Sequence, residues 1–280
     1  MDHLTVSELP AAVADGLAAG TLAPYLGPAM LGLCSGPSVP ATPADLAAVL
    51  TARVSVPGKI RNRLTAAAQF IENFKHRKTL VAAMDEAYAA TPEPSALHRW
   101  LAALPAPLIV DSWYDGTMRL ALAARSDWAE VQGLSQSEHF GTWVGWYAAG
   151  GEARPDPIGA PTVLYKPWGA RLPAHNYLVS DSDFVEVLTE IDIQTPIPAL
   201  VQQRRSALGF VFLGCRFNDQ LPRAFARQIL KRSKGPHFAV LPEEPTRMEA
   251  RFLAEQGITR IALPLIDVAR QLTQGAALTT

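Results

Sequence analysis

Cysteine is nearly missing from this chain. Its 280 residues hold two, Cys34 and Cys215, far apart and in no Cys-x-x-Cys spacing. That argues against a disulfide scaffold or a cysteine-based zinc site and fits a reducing cytoplasm. An excess of one charge is also lacking. Lys+Arg is 25 and Asp+Glu is 26, a net charge of −1, so no global basic field draws the chain to nucleic acid. There is no run of eighteen apolar residues, and no transmembrane helix is expected. Met1-Asp2-His3 lacks the basic and apolar regions of a signal peptide, so a soluble cytoplasmic protein is the expectation. The six histidines fall in no HExxH or HxH spacing, and no metal is expected. GxGxxG, the Walker A loop and the GxSxG elbow are absent as well.

What is present is a core. Hydrophobic residues make up 49% of the chain, which excludes global disorder, and six tryptophans need placing. Ser7-Glu8-Leu9-Pro10 starts a helix, with Ser7 as N-cap, that Gly20 stops. Leu22–Gly27 reads as a buried strand and Gly27–Ser38 as a Gly/Pro loop. Thr42-Pro43 opens a helix, with Thr42 as N-cap and Pro43 in the first turn. Helical patterns continue over 45–53, 60–76, 79–90 and 95–104, with no convincing strand among them.

Strands then alternate with helices. Pro107–Val110, Thr162–Tyr165, Leu208–Leu213, His237–Leu241 and Ile258–Leu263 read as strands; 116–125, 181–190, 220–232 and 246–256 read as helices. The aromatic stretch Trp128–Tyr147 suggests short strands. This order predicts an α/β fold, a mostly parallel sheet with helices on both faces. Residues 40–105 would be a helical insertion within a single domain spanning 1–280, and no internal repeat is visible.

Few residues carry chemistry by themselves. Backbone near Gly27 at a strand end suits a phosphate, and a plain turn explains it equally well. Cys215 follows Gly214 at another strand end, where open α/β sheets bind ligands, yet a small buried residue is the simpler reading. Buried structural histidine is the simplest account of His98. Arg223, Arg227 and Lys231 form a basic stripe that suits a solvated helix end or a phosphate. Asp181, Asp183, Glu186 and Glu190 form an acidic face that could pair with it.

Five landmarks in order resemble the Sir2-like (sirtuin-type) family, over roughly residues 20–265. They are Tyr25-Leu26-Gly27-Pro28-Ala29, Pro94–Leu101, Leu108–Asp115, Leu164-Tyr165-Lys166-Pro167-Trp168-Gly169, and Phe212–Asp219. The resemblance implies a Rossmann-like sheet that binds NAD or a related adenine nucleotide through Gly27, Ala29, Trp113, Trp168, Gly214, Cys215 and Asp219. It also exposes departures. Where the family has Asn in Thr-Thr-Asn-Tyr-Asp and His in Lys-x-His-Gly, this chain has Trp113 and Trp168. The family's Gly-Ala-Gly loop is Gly27-Pro28-Ala29 here, which removes an amide donor. An indole donates but cannot accept the proton that the family's imidazole takes.

Three functions follow from the resemblance. One is a Sir2-like domain with a degenerate NAD-cleavage site, acting as a nucleotide-binding or regulatory accessory protein. Another is an active NAD hydrolase or deacylase with relocated residues, for which Asp111, Asp115 and His175 are the catalytic candidates. The last is a ligand-free interaction protein. Leu178–Asp192 resembles Sir2-like bacterial proteins found near nitrogen-fixation genes, implying an accessory role there and a protein partner. The sequence does not give the oligomeric state.

Overall fold

A computed structural model describes residues 9–155, 159–190 and 197–275. Ser7, expected to cap the first helix, lies outside the described residues, as do Ile191 and Asp192. In chain order the elements begin α1 (Leu9–Ala18), β1 (Leu22–Leu26), a 3-10 turn (Pro28–Leu33), α2 (Pro43–Arg53), α3 (Leu64–Lys75), α4 (Arg77–Ala87) and α5 (Ala96–Ala103). Next come β2 (Leu108–Asp111), α6 (Thr117–Leu122), β3 (Trp128–Gly133), β4 (Val144–Ala148), β5 (Ala153–Arg154), β6 (Thr162–Lys166), β7 (Gly169–Ala170), β8 (Asn176–Tyr177) and α7 (Asp181–Glu190). The chain continues with α8 (Ala199–Arg205), β9 (Gly209–Leu213), α9 (Gln220–Leu230), β10 (His237–Val240), α10 (Arg247–Glu255), β11 (Ile258–Ile261) and α11 (Leu265–Gly275).

Nine strands form one sheet in the order β11-β10-β9-β1-β2-β6-β3-β4-β5. Pairing is parallel from β11 to β3, and β4 and β5 close one edge antiparallel. The period-2 geometry of a strand sorts its side chains onto two faces. Ile109, Leu164, Val211, Leu213, Phe238 and Val240 join α1, α5, α6 and α11 on one face. Leu108, Val110, Val163, Tyr165, Phe210, Phe212 and Ala239 meet α8, α9 and α10 on the other. The expected α/β architecture with helices on both faces is present.

Between β1 and β2 stand α2–α5. Thr42 caps α2, its Oγ1 accepting from the Asp45 amide at 3.1 Å, with Pro43 behind it. A third apolar core joins α2, α3 and α4 to Trp113, Tyr114, Trp168, Tyr177 and Phe184. A partly buried cation ties the same seam. Arg77, at the start of α4, donates to Asp183 on α7 at 2.9 Å and to Glu138 at 3.1 Å, and its guanidinium also bonds the Tyr177 carbonyl. The acidic face of α7 therefore spends Asp183 on Arg77 rather than on the basic stripe of α9. On that stripe Arg227 pairs with Glu255 at 3.6 Å and Arg223 donates to the Phe217 carbonyl.

Several elements differ from expectation. The 27–38 loop winds into a 3-10 turn started by Pro28. α8 was not anticipated; Pro198 is its N-cap, where a missing N–H costs nothing. α11 was not anticipated; Leu265, Val268, Ala269 and Leu272 give it an apolar stripe. No helix among the described residues is long and apolar enough to cross a membrane.

Candidate functional site

In an open α/β sheet the ligand crevice lies beyond the carboxyl ends of the strands, where strand order reverses. Here that point is between β1 and β9, and it is closed by two glycine loops pressed together. The Gly27 amide donates to the Leu213 carbonyl at 2.9 Å, the Ala29 amide to the Gly214 carbonyl at 3.1 Å, and the Met30 amide to the Gly27 carbonyl at 3.1 Å. Pro28 has no amide to offer. Gly214 sits at φ +69°, and a Cβ there would lie 2.6 Å from the Met30 nitrogen. A Cβ on Gly27 would lie 2.5 Å from the Gly214 carbonyl oxygen. The amides expected to face a phosphate are spent on protein carbonyls.

The other residues expected at this crevice are held in place by the protein. Cys215 is buried, its thiol donating toward the Tyr25 carbonyl at 3.6 Å, and burial pushes its pKa up. A thiol so held is not a ready nucleophile. Asp219 caps α9 through the Gln220 amide and is exposed.

Trp113 and Trp168 come together. Their ring centroids are 6.3 Å apart at 65°, an edge-on packing, and their exposures are only 2% and 7%. Tyr114 packs on both, and Phe184 and Phe225 each stand 5.7 Å from Trp168. The Trp113 indole donates to the Pro40 carbonyl at 2.8 Å, while the Trp168 indole nitrogen is buried without a partner among the described residues. Both rings fill space rather than line it.

The catalytic candidates fall into two clusters. Asp111, at the end of β2, accepts from Lys166 Nζ at 2.6 Å and from the Trp113 amide at 3.2 Å. Lys166 is 1% exposed, and its remaining N–H groups go to the carbonyls of Trp113 at 2.8 Å and Asp115 at 2.9 Å. All three ammonium donors are thereby met. Burial, partly offset by the Lys166 ammonium, pushes the Asp111 carboxyl up to about 7. Asp115 meets the same lysine through its carbonyl, and its carboxylate accepts from the Thr117 amide at 2.9 Å.

His175 belongs elsewhere. It sits at φ +50° between β7 and β8, its Nδ1 3.2 Å from both carboxylate oxygens of Asp85 on α4. Tyr177 donates to Asp85 at 2.6 Å. Sequence reading named Asp111, Asp115 and His175 but passed over Lys166, Arg119, Glu130 and Arg171. Lys166 carried a signal, since a cation closing a buried apolar strand demands an anion. No group of three or more His, Cys, Asp or Glu among the described residues is arranged to hold a metal ion.

A family model described as a SIR2-like domain matches residues 107–261, from the approach to β2 to the end of β11. No curated protein matches the chain. The match spans more than half of the sequence and takes in Asp111, Trp113, Lys166, Trp168 and Gly214. The chain belongs to the SIR2-like domain family.

Proposed function

We propose that this chain is a Sir2-like domain whose NAD-cleavage site has become packed core, and that it works as a nucleotide-binding or regulatory accessory protein. Family membership supports a nucleotide-related role. The observation that carries the finer reading is the Trp113–Trp168 pair. It stands where the resemblance puts an amide and an imidazole, and it is sealed within one aromatic cluster. As arranged, the Gly27 and Gly214 loops do not fit the pyrophosphate of a dinucleotide, because the Gly27, Ala29 and Met30 amides are bonded to protein carbonyls and the two backbones touch. Nucleotide binding at this point requires the loops to part. We read residues 1–280 as one domain with 40–105 inserted in it.

The test is direct. The purified protein is incubated with NAD and with an acyl-lysine peptide, and released nicotinamide and deacylated peptide are measured. No turnover is expected. NAD and ADP-ribose are then titrated by calorimetry and tryptophan fluorescence. Binding without turnover supports the nucleotide-binding role. A flat response in both leaves the interaction-protein reading, with a protein partner as its object and nitrogen fixation among the settings to examine.

One observation favours an active enzyme: the Asp111 carboxyl, held up to about 7, titrates in the range useful to a general acid or base. Turnover of NAD that is lost in Asp111→Asn or His175→Ala, with the fold intact, would establish that alternative.

A further inference from the structure

A cavity of about 240 Å³ opens beside α6, β3 and β7, away from the switch point. Neither Gly27 nor Gly214 lines it. Its charged wall is Asp115, Arg119, Glu130, Lys166 and Arg171. Most of that charge is already spent. Lys166 serves Asp111 and two carbonyls. Arg119 is paired with the fully buried Glu130, whose other oxygen accepts from Gln132 at 2.5 Å.

Arg171 differs. Among the described residues its side chain makes no hydrogen bond or ion pair, and its Nε–H is shut off from solvent without an acceptor. A guanidinium is a rigid fork of five donors matched to a carboxylate. With Nε closed off, the outer Nη groups are the part of the fork that a ligand in the cavity can meet, and no acceptor among the described residues bonds them. On the same wall the Asp115 carboxylate bonds only the Thr117 amide among the described residues. Leu120, Ala123 and Leu172 add an apolar surface.

We propose that this cavity binds a small amino-acid-like zwitterion, its carboxylate on Arg171 and its ammonium toward Asp115. Opposite charges placed on one wall select a ligand that carries both. Asp115 and Glu130 disfavour a phosphate dianion. The inference does not rest on the NAD reading: the cavity is not the Gly27–Gly214 crevice, although Asp115 and Lys166 of the catalytic-candidate cluster line it.

Calorimetry on the full chain tests it with L-leucine, L-alanine and L-glutamate, against acetate, n-butylamine and inorganic phosphate as single-charge probes. At least one amino acid is expected to bind in the millimolar range or tighter, and about tenfold better than acetate or n-butylamine. Arg171→Gln is expected to weaken it by about tenfold or more, and Arg171→Lys, which keeps charge but loses the fork, by less. Leu172 is 48% exposed, so Leu172→Trp crowds the mouth without disturbing the core and also weakens binding. The proposal is overturned if none of the probes binds the wild-type chain, if phosphate is preferred, or if Arg171→Gln and Leu172→Trp both leave affinity unchanged. Amino-acid binding in a protein that ignores NAD and ADP-ribose would fail the nucleotide reading and uphold this one.

Discussion

His98 illustrates what burial does to a single side chain. It is 2% exposed, its Nδ1 lies 2.8 Å from the Ser95 hydroxyl oxygen, and burial lowers its pKa to about 4. Unfolded, it would take up a proton near pH 6.5; folded, it does so only near pH 4. The unfolded chain therefore binds more protons across that window, and stability falls as pH drops through it. The gap corresponds to about 3 kcal/mol at most. Urea unfolding of wild type and His98→Gln at pH 7 and pH 4 is expected to show the larger acid loss in wild type. Equal losses would place the proton elsewhere.

Lys166 is the other decisive residue. Lys166→Met removes the cation that favours the ionised form of Asp111, so the buried acid must keep a stranded charge or take up a proton, and the change is expected to cost about 3–5 kcal/mol. Adding Asp111→Asn removes the stranded charge, so the double variant should recover much of that loss. A double variant no more stable than the single would mean that Lys166 acts through its packing rather than its charge. Cys34 and His98, with a sulfur–nitrogen distance of 3.9 Å, show why residue-level reading needs restraint. The Cys34 thiol is raised by burial and sits against a histidine that stays neutral, so the pair fits packing better than nucleophilic chemistry.

Among the elements, the contact between the β1 loop and the β9 loop is a tight joint. Gly214→Ala would force a Cβ against backbone in a left-handed conformation, and a loss of about 2–4 kcal/mol is expected from thermal or urea unfolding. Gly32 is the control. It lies in the neighbouring 3-10 turn with nothing within 4 Å of a built Cβ. Gly32→Ala should stay within about 0.5 kcal/mol of wild type. Similar effects at the two positions would argue that loop flexibility, not close approach, requires glycine.

The elements also show what a sequence can and cannot say. β9 was readable because Gly209-Phe210-Val211-Phe212-Leu213 is apolar on both faces, as a central parallel strand must be. α2 was readable because Thr42 and Pro43 announce it. β4 was only half readable. Its residues are all partly exposed, and pairing with β3 rather than local pattern defines it. β7 and β8 have two residues each and exist only as a pair, so no periodicity could reveal them.

For the molecule as a whole, topology decides what the site becomes. The landmarks around Asp111, Trp113, Trp168 and Gly214 could be found in sequence order, but their neighbours across the seam could not. Arg77, Asp183 and Asp85 meet residues about 90–106 positions away. Restoring the family's residue types tests how far the site has moved. Trp113→Asn with Trp168→His is expected to lower the melting temperature sharply, since truncating a buried tryptophan costs about 3–5 kcal/mol. The double variant is expected to release no nicotinamide from NAD; release would show that the surrounding site remains competent.

The bond from the Trp113 indole to the Pro40 carbonyl gives that experiment a historical meaning. It fastens the end of β2 to the segment that leads into α2. A mutation at Trp113 toward a small amide would loosen that junction before any chemistry could return. On the proposed reading of a lapsed site, selection on folding alone would oppose the step, and the bond would act as a ratchet, making a path back to catalysis steeper than a path away from it.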